Sequence, residues 1–145
     1  MEWFEAIIFI AVAFVFYQTF SSSTNNNNPS SSTSNNGPKM VHEITSEKEF
    51  EEIIAQNELV VVDFYATWCG PCKMIAPYIE NTLAPENTNV KFVKVNVDNL
   101  RSLVEKYEVT AMPTFVYIRK GQVVKSVRGA AKAAVAEGVT ALTSS

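Results

Sequence analysis

Cys69 and Cys72 are the only cysteines in a chain of 145 residues, separated by two residues in the stretch Trp68-Cys69-Gly70-Pro71-Cys72-Lys73. Such a pair can ligate a metal, staple the chain or exchange electrons. A structural zinc site takes four ligands, and the one histidine, His42, has no second cluster near it, so the ligand count fails for a monomer. His42 reads as an ordinary surface or strand-edge residue rather than a base for Cys69. A disulfide closing so short a loop removes little chain entropy, on the order of 2 kcal/mol against about 3 for fifteen residues. Redox exchange fits the placement better. Cys69 falls where an apolar strand gives way to a helix, so first-turn amides and the helix dipole favour its thiolate, the form that attacks disulfides. Cys72, inside the first turn and less exposed, is close enough to attack a mixed disulfide formed by Cys69.

The elements around the pair can be read from periodicity and capping. Ser46 with Glu49 has capping-box spacing, followed by Phe50, Ile53 and Ile54 on one helical face. Leu59 to Tyr65 is too continuously apolar for a half-exposed strand and reads as a central strand covered on both faces, interrupted by Asp63. The next helix starts near Trp68 to Cys69, runs past Ile75 and Ile79, and bends at Pro77 for want of a backbone donor. Val90 to Val97 is a second strand. Asp98 is placed to cap a helix bearing Leu100, Leu103, Val104 and Tyr107 on one face. Thr114 to Ile118 and Gln122 to Val127 flank the hairpin loop Arg119-Lys120-Gly121. Ala130 to Leu142 closes the chain as a helix of mostly small residues, weakened by Gly138 and relying on Val135, Val139 and Leu142. The order β-α-β-α-β-α-β-β-α predicts a layered α/β domain with a mixed sheet, parallel until the last hairpin.

From about Met40 onward the chain resembles thioredoxin. The resemblance rests on Val62-Asp63-Phe64-Tyr65-Ala66-Thr67-Trp68-Cys69-Gly70-Pro71-Cys72-Lys73, on Met112-Pro113-Thr114, and on Gly121 and Gly129 at family-like offsets. It covers about three quarters of the chain and implies the thioredoxin fold. It also implies that Asp63 is the buried carboxylate that deprotonates the second cysteine, with Lys94 its buried lysine neighbour. Desolvation in a central strand should raise the Asp63 pKa towards neutrality. The resemblance further implies that Pro113 is a cis-proline facing the pair, and that Trp68, Met112, Gly129 and Ala130 line the surface that receives substrate. Tyr65 departs from the tryptophan that many members carry there.

Composition bounds the rest. About half of the residues are apolar and the net charge is −3, enough for one core and without the basic surface that nucleic acid requires. Three segments differ: 1–20, a hydrophobic membrane anchor or signal; 21–38, an Asn- and Ser-rich flexible tether; and 39–145, the thioredoxin domain. The uncharged run from Ala6 to Phe20 is marginal for a membrane helix, which needs roughly 20 apolar residues, and residues 3–20 are the expected membrane contact. A cleaved signal peptide is the rival, but the opening carries Glu2 and Glu5 and no basic residue before Lys39. The tether cannot bury enough surface to fold, and its coil reach is roughly 20–25 Å.

These features predict a monomeric protein-disulfide reductase with no bound cofactor and no metal. Gly70 and Pro71 put no positive charge between the cysteines, which bears on redox poise through thiolate stability. Disulfide isomerases of similar fold commonly have histidine in the second position, and the final residues carry no retention signal. By resemblance, electrons come from NADPH through a thioredoxin reductase and pass to disulfide-containing client proteins. That electron supply argues for a membrane-anchored domain facing the cytosol, with Met40 a candidate start for a soluble form. The alternatives are a tethered binding or adaptor module on the same fold, a disulfide isomerase or oxidase in the secretory lumen, or a secreted protein after signal cleavage.

Overall fold

The computed structural model describes residues 40–144. The expectations for 1–20 and 21–38 lie outside them. The elements are β1 (Val41–Ile44), α1 (Glu47–Gln56), β2 (Leu59–Tyr65), α2 (Gly70–Tyr78), a π-helical segment (Ile79–Leu83), α3 (Ala84–Glu86), β3 (Lys91–Asn96), α4 (Arg101–Lys106), β4 (Thr114–Arg119), β5 (Gln122–Arg128) and α5 (Lys132–Thr143). They build a five-stranded sheet in the order β1-β3-β2-β4-β5. Strands β1, β3 and β2 run parallel, and the β4–β5 hairpin joins antiparallel to β2. The anticipated α/β fold with a mixed sheet is therefore present, and β2, which feeds the cysteine pair, lies at its middle.

Alternation along the strands divides the core. Val60, Val62, Phe64, Val93, Val95, Val116 and Ile118 meet Phe50 of α1 and Leu103 of α4 on one face. Val61, Phe92, Phe115 and Tyr117 meet Ile75 of α2, Ile79, and Val135, Val139 and Leu142 of α5 on the other. Both faces of β2 are covered, so Val60 through Phe64 are buried and the strand reads as a continuous apolar run.

Three local details differ from expectation. The Ser46 hydroxyl accepts from the Glu49 amide at 3.2 Å, but the Glu49 carboxylate bonds the Thr45 amide at 2.7 Å and hydroxyl at 2.8 Å rather than the Ser46 amide, and it takes His42 Nε2 at 2.6 Å. His42 is thus a partner for Glu49 on the edge strand β1. Asp98 does not cap α4: the cap position is Leu100, without a side-chain bond, while the Asp98 carboxylate accepts from Trp68 Nε1 at 3.0 Å. Regular α2 ends one residue beyond Pro77, and the chain continues through the π-helical segment. Pro77 lacks a backbone donor, and just beyond it regular α-helix gives way to a π-helical turn that had no signature in the sequence.

The hairpin loop closes on Lys120 and Gly121, with φ of 49° and 79°. Two consecutive left-handed residues match the twist of the strands they join. In α5, Gly138 is buried against the sheet rather than being a mere weak point.

Candidate active site

Strand β2 ends at Tyr65, the chain turns through Ala66 to Trp68, and α2 begins at Gly70 with Cys69 as its N-cap. The Cys69 sulfur accepts a hydrogen bond from the Cys72 amide at 3.2 Å. Pro71 stands in the first turn, where an absent donor costs nothing. Cys69 and Cys72 form a disulfide with their Cα atoms 5.3 Å apart. Exposure does not separate them as expected, for Cys69 is 5% and Cys72 4% exposed. Location does separate them. Cys69 receives the helix-terminal amide, whereas Cys72 faces inward to a cavity of about 320 Å3 that Asp63 also lines.

Asp63 is buried at the middle of the sheet, and its Oδ1 has no hydrogen-bond partner. Burial pushes its carboxyl up to about 7; the Lys94 ammonium opposes this and the Glu80 carboxylate adds to it. A carboxyl in that range can take and return a proton near neutral pH. Lys94 is opposite Asp63 in the β2–β3 register. Its side chain is 21% exposed rather than fully buried, and its ion-pair partners are Glu43 and Glu80, both at 3.8 Å. Neither glutamate was singled out from sequence. Glu80 follows Cys72 and Ala76 at four-residue steps, a helical spacing that could have marked it. Glu43 comes from another parallel strand, and no local pattern points to it.

Trp68 is 65% exposed beside Cys69, its indole held by Asp98. The Met112–Pro113 peptide is cis, as anticipated, and Pro113 is buried. The Pro113 carbonyl accepts from the Gly129 amide at 2.8 Å, and Thr114 Oγ1 donates to the Ala111 carbonyl at 2.7 Å. Gly129, at φ 93°, occupies backbone space unfavourable to other residues. Met112 packs on the cluster that contains both cysteines, whereas Ala130 packs on the cluster across the sheet. Gly70, Pro71 and Lys73 are exposed in the first turn, and a side chain at 70 would meet nothing within 4 Å. Among the described residues no group of three or more His, Cys, Asp or Glu side chains is placed to hold a metal ion.

A mixed sheet with a cysteine pair opening a helix at the end of its middle strand, beside a cis-proline loop, defines a thioredoxin-fold thiol-disulfide oxidoreductase. The family described as Thioredoxin matches residues 41–141, and the chain belongs to it. The chain is 47% identical over 102 residues to thioredoxin-1 of Saccharomyces cerevisiae, covering 70% of this chain and 98% of that protein. It is 46% identical over 95 residues to thioredoxin of Oryctolagus cuniculus, covering 64% of this chain and 90% of that protein. The solved structure of mitochondrial thioredoxin 3 from Saccharomyces cerevisiae, in its oxidised form, aligns with a TM-score of 0.67 at 42% identity, over 70% of this chain and 95% of that one. The chain is accordingly a protein-disulfide oxidoreductase.

Proposed function

We propose that the protein works as a disulfide reductase in which Cys69 attacks and Cys72 resolves. The Cys69 thiolate attacks one sulfur of a client disulfide; that bond breaks, and the other client sulfur leaves with the electron pair and takes a proton from water. The Cys72 thiol passes its proton to Asp63, and its thiolate then attacks the Cys69 sulfur. The Cys69–Cys72 bond forms, and the second client sulfur departs and is protonated. Two electrons have passed from protein to client. The observation that carries this reading is the division of labour at the start of α2: Cys69 takes the helix amide, and Cys72 shares a cavity with Asp63.

The surface around the pair supports a peptide client. Trp68 offers an exposed apolar face, and the Met112–Pro113 turn lies beside the dithiol cluster with Gly129 and Ala130 on the next strand end. Gly70 and Pro71 leave the thiolate without a neighbouring charge between the cysteines, and Lys73 adds one just beyond. The oxidised form is returned to the dithiol by NADPH through a thioredoxin reductase. The test uses full-length protein in mild detergent with a disulfide client: Cys72→Ser accumulates a client mixed disulfide on Cys69, and Cys69→Ser abolishes turnover. Full activity after Cys69→Ser overturns the assignment of the nucleophile.

Attachment to a membrane through residues 3–20, with the domain on the cytosolic side, is part of the same proposal. No helix of the described residues is long and apolar enough to cross a membrane, so attachment would depend on that segment. Carbonate extraction of membranes, with protease protection of a C-terminal tag, decides it; a tag protected inside sealed vesicles overturns the cytosolic orientation. A shorter band that vanishes with Met40→Leu would identify a second, soluble start.

A further inference from the structure

We propose that Glu80 and Glu43 are positioning residues for the proton acceptor of the dithiol, holding the Lys94 ammonium turned away from Asp63 so that the carboxyl can gain and lose a proton. The proposal rests on the reading of Asp63 as the base for Cys72.

The geometry begins with register. Lys94 on β3 is opposite both Glu43 on β1 and Asp63 on β2, so the three side chains form a row across one face of the sheet. An ammonium flanked by two carboxylates, one of them buried, would be expected to bond the buried one, since a lone carboxylate is costly to desolvate. It does not. Among the described residues no ion pair joins Lys94 to Asp63, and Asp63 Oδ1 accepts no hydrogen bond.

What holds Lys94 off is a pair of carboxylates that engage its ammonium instead. Glu43 Oε2 and Glu80 Oε1 each lie 3.8 Å from Lys94 Nζ. The Tyr65 hydroxyl donates to Glu43 Oε1 at 2.6 Å, which fixes that carboxylate and leaves its other oxygen for the lysine. The Tyr65 ring adds to this, with Nζ 5.3 Å from its centroid. Glu80 reaches the cluster from the π-helical segment, one helical step beyond Ala76 on the face that carries Cys72. The same cavity of about 320 Å3 touches Asp63, Cys72, Lys94 and Glu80, so Glu80 borders the space shared by thiol and carboxyl, while Glu43 acts from outside it.

The charges facing Asp63 are few. Lys94 faces it from β3, Glu80 from the π-helical segment, Glu43 from β1 behind Lys94, and Lys73 from α2 at the cavity wall. Tyr65 on β2 and Tyr117 on β4 stay neutral, their hydroxyls pushed up by burial first and, at Tyr65, by Glu43 as well. Glu43 and Glu80 offset the lysine, and losing either frees its charge to pin Asp63 in the ionised form. An aspartate so pinned is a weaker base for Cys72.

The test is a carbon-detected NMR titration of the Asp63 carboxyl in the oxidised full-length protein in detergent. Glu80→Gln should lower the midpoint by about 0.5–1 unit, and Glu43→Gln with Glu80→Gln should lower it further. Lys94→Gln should raise it, and in that background most of the Glu80→Gln shift should disappear. An unchanged midpoint in Glu80→Gln overturns the proposal. So does an equal shift with and without Lys94, which would mean that Glu80 acts by its own charge alone. Client release from the Cys69 mixed disulfide, followed across pH in the same variants, addresses the underlying reading separately. A release profile that stays put while the carboxyl midpoint moves leaves the positioning role standing and removes Asp63 as the base.

Discussion

The ring of Tyr117 fills the space beside Gly138. A Cβ at position 138 would lie 2.2 Å from Tyr117 Cζ and 2.5 Å from its oxygen, while that hydroxyl donates to the Val135 carbonyl at 2.8 Å. The ring is held by α5 itself and sits in the fully buried core, so it has little freedom to withdraw. Gly138→Ala gains up to about 1 kcal/mol of helix propensity but overpacks the core, which costs about 1–3 kcal/mol. The denaturant midpoint should therefore fall, and an unchanged or raised midpoint would show that α5 can shift away from the sheet.

Replacing Asp63 should change stability in a pH-dependent way. In the folded protein Asp63 keeps its proton up to about pH 7, and in the unfolded chain only to its ordinary value of 3.8. Between these limits the folded state binds more protons, so stability falls as pH rises and levels off above the upper one. Asp63→Asn lacks that loss. Its advantage should be near zero at pH 4 and reach a few kcal/mol by pH 8, since each unit corresponds to about 1.4 kcal/mol. Urea unfolding at several pH values measures it, and a gap between the two proteins that does not change with pH contradicts the buried titration.

The same substitution should separate capture from release. Asp63→Asn leaves the amide bonded to Cys69 in place, so attack on a client should be little altered, whereas release needs Cys72 ionised without a base. Stopped-flow release should be slowed about tenfold or more near pH 7, with the deficit shrinking towards pH 9 as the thiol ionises unaided. Equal release rates near pH 7 would reduce Asp63 to a structural residue.

Glu49 carries a pH dependence of the opposite sign. The Thr45 amide, with His42 and the Thr45 hydroxyl, holds its carboxyl down from 4.5 to about 2. Stabilisation from this depressed group is present above the unfolded value and is lost as pH falls through the folded one. Glu49→Gln should lower the thermal midpoint at pH 6, and the difference from the parent should close as pH approaches 2. A difference that persists there would assign the effect to packing instead of charge.

The cysteine pair, the start of α2, the bounds of β2 and the hairpin loop were legible because each depends on residues close in sequence: an apolar run, a cap, a left-handed glycine. Val135, Val139 and Leu142, on which the last helix is expected to rely, are buried in α5, and Gly138 joins them on the same stripe. Asp63 stood out as one charge in an apolar strand, though its role came from resemblance. What tertiary structure alone decided depends on which strands become neighbours. The order β1-β3-β2 sets Glu43, Lys94 and Asp63 side by side although 51 positions separate the first two, and it gives Lys94, the cross-strand neighbour of Asp63, glutamates as its ion-pair partners. Asp98, a cap by sequence spacing, became the anchor of Trp68 because the ends of β2 and β3 lie side by side and bring the turns that follow them together. Gly138 changed from a helix weakness to a packing requirement once Tyr117 was opposite it. Local sequence encodes an element through its own backbone and period, whereas the partners of its polar and smallest residues are chosen by contacts that exist only after the sheet has assembled.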